Sequence, residues 1–247
     1  MLGYLWRSIR EQPLAGLVVI SAVGFAALLS SPVGTLLPDV CGSLVGIRMS
    51  DIPVLAGQGN WPWLFLASWT IMVIAMMPPL LAMSATHVIR SRIIRERARG
   101  LAAFAIGYGV VWFAAGIPIT IAVIATATLL AMPWAAVAAF LVAFIYRKSP
   151  LGGRAHNRCH KVSRIGAFGA AADVECLFYG LRTGLACLAA CWPWTLAVML
   201  VGTGHAASMF FVTIYLFLDR LQPPSRVGWR LPPALIGMFG KWTPTPK

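Results

Sequence analysis

Six apolar runs, separated by short polar or basic segments, set the pattern of the chain. They fall at about 14–31, 63–88, 101–130, 134–146, 181–202 and 205–218. Their apolarity is continuous, without the alternation that strands of a membrane barrel would show. A helix needs roughly 20 apolar residues to cross a hydrocarbon core about 30 Å thick, and four of the six runs approach or exceed that length. The pattern predicts an all-α, polytopic membrane protein of about six transmembrane helices, built as a single helical membrane domain over 1–247.

Local signals refine this picture. Pro78 and Pro79 fall inside the second run. Neither can donate a backbone hydrogen bond, so the helix should bend there and free nearby carbonyls for other protein groups. The third run extends from Leu101 to Met132, and its 32 residues would make about 48 Å of helix. Gly116 and Pro118 are its candidate kink points, and Pro133 ends it. Residues 147–164 read as a basic loop, and 165–180 as an interfacial helix leading into the fifth span. Residues 1–12 read as a short amphipathic lead-in, 32–60 as the longest external loop, and 219–247 as a basic, Pro-rich cytoplasmic tail. Nothing at the N-terminus resembles a cleavage site, so the first run reads as a retained span.

Charge fixes the orientation. Only 11% of residues are charged, against 59% apolar, which leaves no room for a separate soluble domain. A net charge of +13 could indicate nucleic acid, but 19 of the 20 Lys and Arg lie in segments that one topology places on a single side, Arg48 being the exception. That is the positive-inside pattern. It puts both termini in the cytoplasm, makes the lipid bilayer the main partner and argues against nucleic acid. Trp61, Trp63, Trp134 and Trp229 lie near span ends or in the tail, as an aromatic belt would place them. Apolar anchors between the prolines of the tail, Trp229 and Trp242 among them, read as a docking segment for a membrane protein partner subunit.

The residues that could carry chemistry are soft. Met72 and Met76 are four apart and share one helix face, with Met77 adjacent. Cys187 and Cys191 are likewise four apart on the fifth span. A thiolate pair suits Cu(I) or Zn(II). Spacing alone favours ordinary packing for both pairs, since Met fills gaps and free Cys is a common buried residue. The two pairs lie at similar predicted depth, so ligands from two helices could converge. His205 opens the sixth run at its external edge, as a ligand on a route inward or as an interfacial residue. In Arg158-Cys159-His160 the surrounding cations should lower the thiol pKa, or meet anionic headgroups. No paired carboxylate, HExxH, phosphate loop or nucleophile motif is present, which points away from an enzyme. All seven acids lie outside the apolar cores or at their edges, which argues against a proton-driven transporter.

Two of these segments carry a family resemblance. Trp69, Met72, Ala75, Met76, Met77 and Pro79 reproduce a Trp-x-x-Met-x-x-Ala-Met-Met-x-Pro signature, and Gly180, Gly184, Cys187, Cys191 and Trp192 match a later Gly-x-x-x-Gly-x-x-Cys-x-x-Cys-Cys-Trp motif. Over about 60–220 the chain resembles the DUF2182 family of bacterial integral membrane proteins, whose members are described as metal-binding. Two positions depart from the pattern. Ala190 replaces the first of two adjacent cysteines, and Gly204-His205 stands where a Met-Asn pair is usual. The resemblance implies metal binding in a bacterial inner membrane. Together with the soft residues it gives the leading expectation: copper held between the second and fifth spans by Met72, Met76, Cys187 and Cys191, with His205 as an outer relay, for metal handling or metalloenzyme assembly. The alternative is a non-catalytic accessory or scaffold subunit of a larger membrane complex.

Overall fold

The computed structural model describes residues 13–29, 61–130, 134–202, 204–224 and 227–229. The expected lead-in at 1–12, the external loop at 32–60 and the tail beyond 229 lie outside the described residues. Among those residues the fold is all-helical: α1 (Leu14–Leu29), α2 (Trp61–Met76), a 3-10 turn (Pro78–Leu81), α3 (Ala82–Ser91), a second 3-10 turn (Ile94–Glu96), α4 (Arg97–Leu129), α5 (Trp134–Lys148), α6 (Pro150–Cys159), α7 (Gly169–Met199) and α8 (His205–Arg220). Two helices, Ile94–Ala127 and Gly169–Met199, are long and apolar enough to cross a membrane. The number rises to four if each of two bent pairs counts as one span, and α1 is a shorter apolar helix.

The bend expected at the paired prolines is present. Leu66–Met76 and Pro78–Ser91 meet at 53°. Pro78 and Pro79 supply no N–H to the carbonyls of Ile74 and Ala75. The Ser21 hydroxyl of α1 donates to the Ala75 carbonyl and re-satisfies it. It can do so because α1 and α2 almost touch: a Cβ on Gly24 would stand 2.8 Å from the Ala75 Cα. The bend is therefore held by a neighbouring helix, as an apolar setting requires.

The second close crossing pairs α4 with α7. A Cβ on Gly180 would stand 2.1 Å from the Phe104 carbonyl oxygen, and one on Gly107 would stand 2.2 Å from that of Leu177. Small residues let the backbones approach until van der Waals contact is continuous. α4 runs on through Gly116 and Pro118 as one continuous helix. Pro118 removes a single backbone bond from a 33-residue helix, and the Trp69 ring packs directly on Gly116 beside it.

Two segments differ from expectation. Residues 165–180 form no separate interfacial helix. Gly169, at φ +87°, starts α7, which then continues to Met199. Its acids are engaged. Arg92, its side chain fully buried, pairs with Glu96 at 2.9 Å and with Asp173, and Arg99 takes the other oxygen of Asp173 at 2.6 Å. Glu175 accepts from the Gly166 N–H at 2.6 Å. The basic segment 147–164 contains α6, turned 72° from α5. The Ser149 side chain caps it, accepting from the Gly152 N–H at 3.2 Å, and Pro150 takes the first helical turn. Ser-Pro is a helix-start signal, and the basic charge around it masked it.

The crossing can be tested by filling it. Gly180→Leu forces a side chain against the α4 backbone and should cost about 2 kcal/mol or more, seen as a lower unfolding temperature in detergent. Gly109→Ala on α4, with nothing within 4 Å of its added Cβ, should be neutral or slightly stabilising. Equal behaviour of the two variants would show that the helices do not meet at Gly180.

Candidate metal centre

Cys187 and Cys191 lie one turn apart on α7, fully enclosed, with their sulfurs 3.8 Å apart. The Tyr108 hydroxyl of α4 reaches the Cys187 sulfur at 3.3 Å. With metal–sulfur bonds of about 2.3 Å, two thiolates sharing a tetrahedral ion stand about 3.8 Å apart. The pair is thus spaced for one soft ion without movement of the backbone.

Met72 and Met76 are equally buried, on α2. Their helix is fixed to α4 by the Trp69 indole, which donates to the Trp112 carbonyl at 3.0 Å. Trp112 and Tyr108 are one turn apart on α4, their rings 6.5 Å apart. The methionine helix and the cysteine helix therefore dock on α4 within a turn of each other. Both pairs belong to one continuous buried cluster, along with Met77, Met199 and Met209. The last two escaped the sequence reading, although Met209 follows His205 at helical spacing. Among the described residues, no three His, Cys, Asp or Glu side chains are close enough to enclose a metal.

His205 is not brought to the thiols. It opens α8 after Gly204 at φ +80°, and its Nδ1 lies 3.0 Å from the Val198 carbonyl. A carbonyl can only accept, so the ring nitrogen that meets it carries a proton, and the Val201 backbone is a second hydrogen-bond partner of the imidazole. Val198 is seven residues beyond Cys191, about 10 Å along the helix. His205 is thus placed for an outer position and not for the thiol site.

The C-terminal ends of α5 and α8 form a polar cluster with α6. Arg147 grips both oxygens of Asp219 at 2.7 Å, and His156 adds a contact at 3.4 Å. Burial would raise the Asp219 carboxyl, but hydrogen bonds from His156 and Arg147 hold it down at about 2. Asp219 and Arg220, expected as the start of the basic, Pro-rich tail, form the last turn of α8 and are packed. At Cys159 the expectation reverses. Burial pushes the thiol up to about 12, outweighing the Arg220 guanidinium beside it.

Long apolar helices around enclosed thiols and thioethers make this a helical protein with soft-ligand chemistry in its core. A family model described as PpoB2, copper chaperone, matches residues 66–243, more than two thirds of the chain and all five candidate ligand positions. The chain belongs to this copper chaperone family. No curated protein and no solved structure was found to match.

The Arg147–Asp219 clamp yields a prediction with a sign. Asp219→Asn leaves a buried guanidinium without its carboxylate, at a cost of roughly 3 kcal/mol. The folded-state carboxyl titrates at about 2, below its ordinary 3.8. Its contribution is therefore complete above the ordinary value and fades as pH falls through the folded one. The gap in unfolding temperature between wild type and variant should hold steady from about pH 8 to pH 6 and narrow below about pH 4.

Proposed function

We propose that the chain is a multi-pass copper chaperone of the bacterial inner membrane that holds Cu(I) between α2 and α7. The observation that carries this reading is the Cys187–Cys191 pair, enclosed with sulfurs 3.8 Å apart in the cluster that also contains Met72 and Met76. Cys187 and Cys191 are the thiolate ligands, and Met72 and Met76 supply neutral thioethers. His205 lies nearer the external face as a relay. Copper here is cargo. The protein's part is to exclude water and competing ligands from a soft ion and to pass it on by ligand exchange. No bond of a substrate need break.

The topology belongs to the same proposal. α1, the bent α2–α3 pair, α4, α5, α7 and α8 make six crossings, with both termini cytoplasmic as the basic residues require. α6, which carries Arg154, His156 and Arg158, lies along the cytoplasmic face. Reporter fusions at either end should be active only in their cytoplasmic form. A periplasmic C-terminus would give an odd number of crossings and overturn the arrangement.

Metal analysis of the full chain, purified in mild detergent and loaded with Cu(I), should show tightly held copper. Cys191→Ser combined with Met72→Leu should abolish it while the protein still inserts. A wild type without copper, or a double variant that retains it unchanged, would sink the assignment.

A further inference from the structure

The last turn of α8 buries a guanidinium that, among the described residues, no carboxylate balances. Arg220 is 6% exposed, and its Nη2 has no hydrogen-bond partner. The adjacent acid is committed elsewhere, since Asp219 gives both oxygens to Arg147. Arg220 ends a helix that packs on α7, and Leu216, one turn before it, shares a buried cluster with Cys187 and Cys191. Its first electrostatic partner is the Cys159 thiol, which it hydrogen-bonds, followed by Cys187, Cys191 and Tyr108. A buried cation is costly unless something balances it, and arginine keeps its charge under all ordinary conditions.

The balance follows from counting charges. When Cu(I) binds the pair, both thiols release a proton to solvent, two copper–sulfur bonds form, and copper stays Cu(I). The bis-thiolate complex carries one negative charge, and thioether ligands leave that unchanged. With Arg220 beside it, the pocket goes from one net positive charge to none. A divalent ion on the same two thiolates gives a neutral complex and leaves the pocket positive. Only a monovalent ion gains from the guanidinium.

We propose that Arg220 is the counter-charge of the thiol pair and makes the site selective for a monovalent soft ion over divalent ones. This rests on the reading of Cys187 and Cys191 as copper ligands. Arg220 is a positioning and selectivity residue, acting through charge. It need not touch the metal.

The test compares two metals in three proteins: wild type, Arg220→Met and Arg220→Lys, as full chains in detergent. Cu(I) affinity is read by competition with a chromogenic chelator under anaerobic reducing conditions. Cd(II) affinity is read from its thiolate charge-transfer band. Arg220→Met should weaken Cu(I) by at least roughly tenfold and leave Cd(II) within about threefold, while Arg220→Lys stays close to wild type for both. Equal loss of both metals in Arg220→Met would show a structural role and overturn the proposal, as would unchanged Cu(I) affinity. If the wild type takes up no Cd(II), Cu(I) alone decides: retention in Arg220→Lys with loss in Arg220→Met supports the proposal, and any other pairing overturns it. A wild type that binds no Cu(I) fails the copper assignment itself, a result distinct from all of these.

Discussion

The contact on which the rest depends is the near-touching of α4 and α7. Gly180 meets the Phe104 carbonyl, and Gly184 rests on Val111. With side chains at those positions the two backbones would stand apart by the thickness of a methyl group or more. Tyr108, one turn beyond Phe104, could then no longer reach Cys187. The same face of α4 carries the Trp112 carbonyl that anchors Trp69. So one glycine-lined crossing fixes the cysteine helix to α4 and, through α4, sets its height against the methionine helix. In an apolar medium there is little hydrophobic drive to bring helices together, and close packing of this kind is what remains.

The charged residues support this frame from its ends. Arg92, Glu96, Asp173 and Arg99 tie the starts of α4 and α7 together. Arg147 and Asp219 join α5 to α8. In both clusters the acids meet a buried arginine, so the carboxylates among the described residues are largely spent on architecture. Among those residues Arg220 is left unmatched. In a chain with 20 basic residues and seven acidic ones, some cations must stay unpaired. Most can remain so in water or among headgroups, but one enclosed beside thiols cannot.

Much of this was legible in the sequence, for identifiable reasons. The helices, the bend at Pro78–Pro79 and the shared faces of the Met and Cys pairs follow from hydropathy, missing N–H donors and a 3.6-residue repeat. These are local rules. What was not legible depends on partners distant in sequence. Tyr108 is one aromatic among many in an apolar run, and only α7 makes it a thiol neighbour. Cys159, read as a thiol activated by nearby Arg and Lys, is governed by burial once α6 folds back on α7. Asp219 and Arg220 looked like the start of the tail because charge marks the end of an apolar run. They pack because α5 ends at the same level with an arginine.

The departures from the family pattern can be placed physically. A cysteine at 190 would lie on the helix about 100° from Cys191, beside the pair and not between its members. Ala190 is only partly buried, at the edge of the core cluster, whereas positions 187 and 191 face inward and meet each other. Losing a thiol at 190 therefore removes a flanking group and leaves the inward pair intact. His205 makes the complementary point. Its Nδ1 is tied to the Val198 carbonyl, two turns beyond Cys191, so it cannot replace a missing ligand at the level of the thiols. The candidate groups thus lie at two heights along α7, an enclosed pair near its middle and an imidazole beside its C-terminal end. Under the proposed function such spacing suits a chaperone, because a single site that collected every ligand would bind more tightly and release less readily.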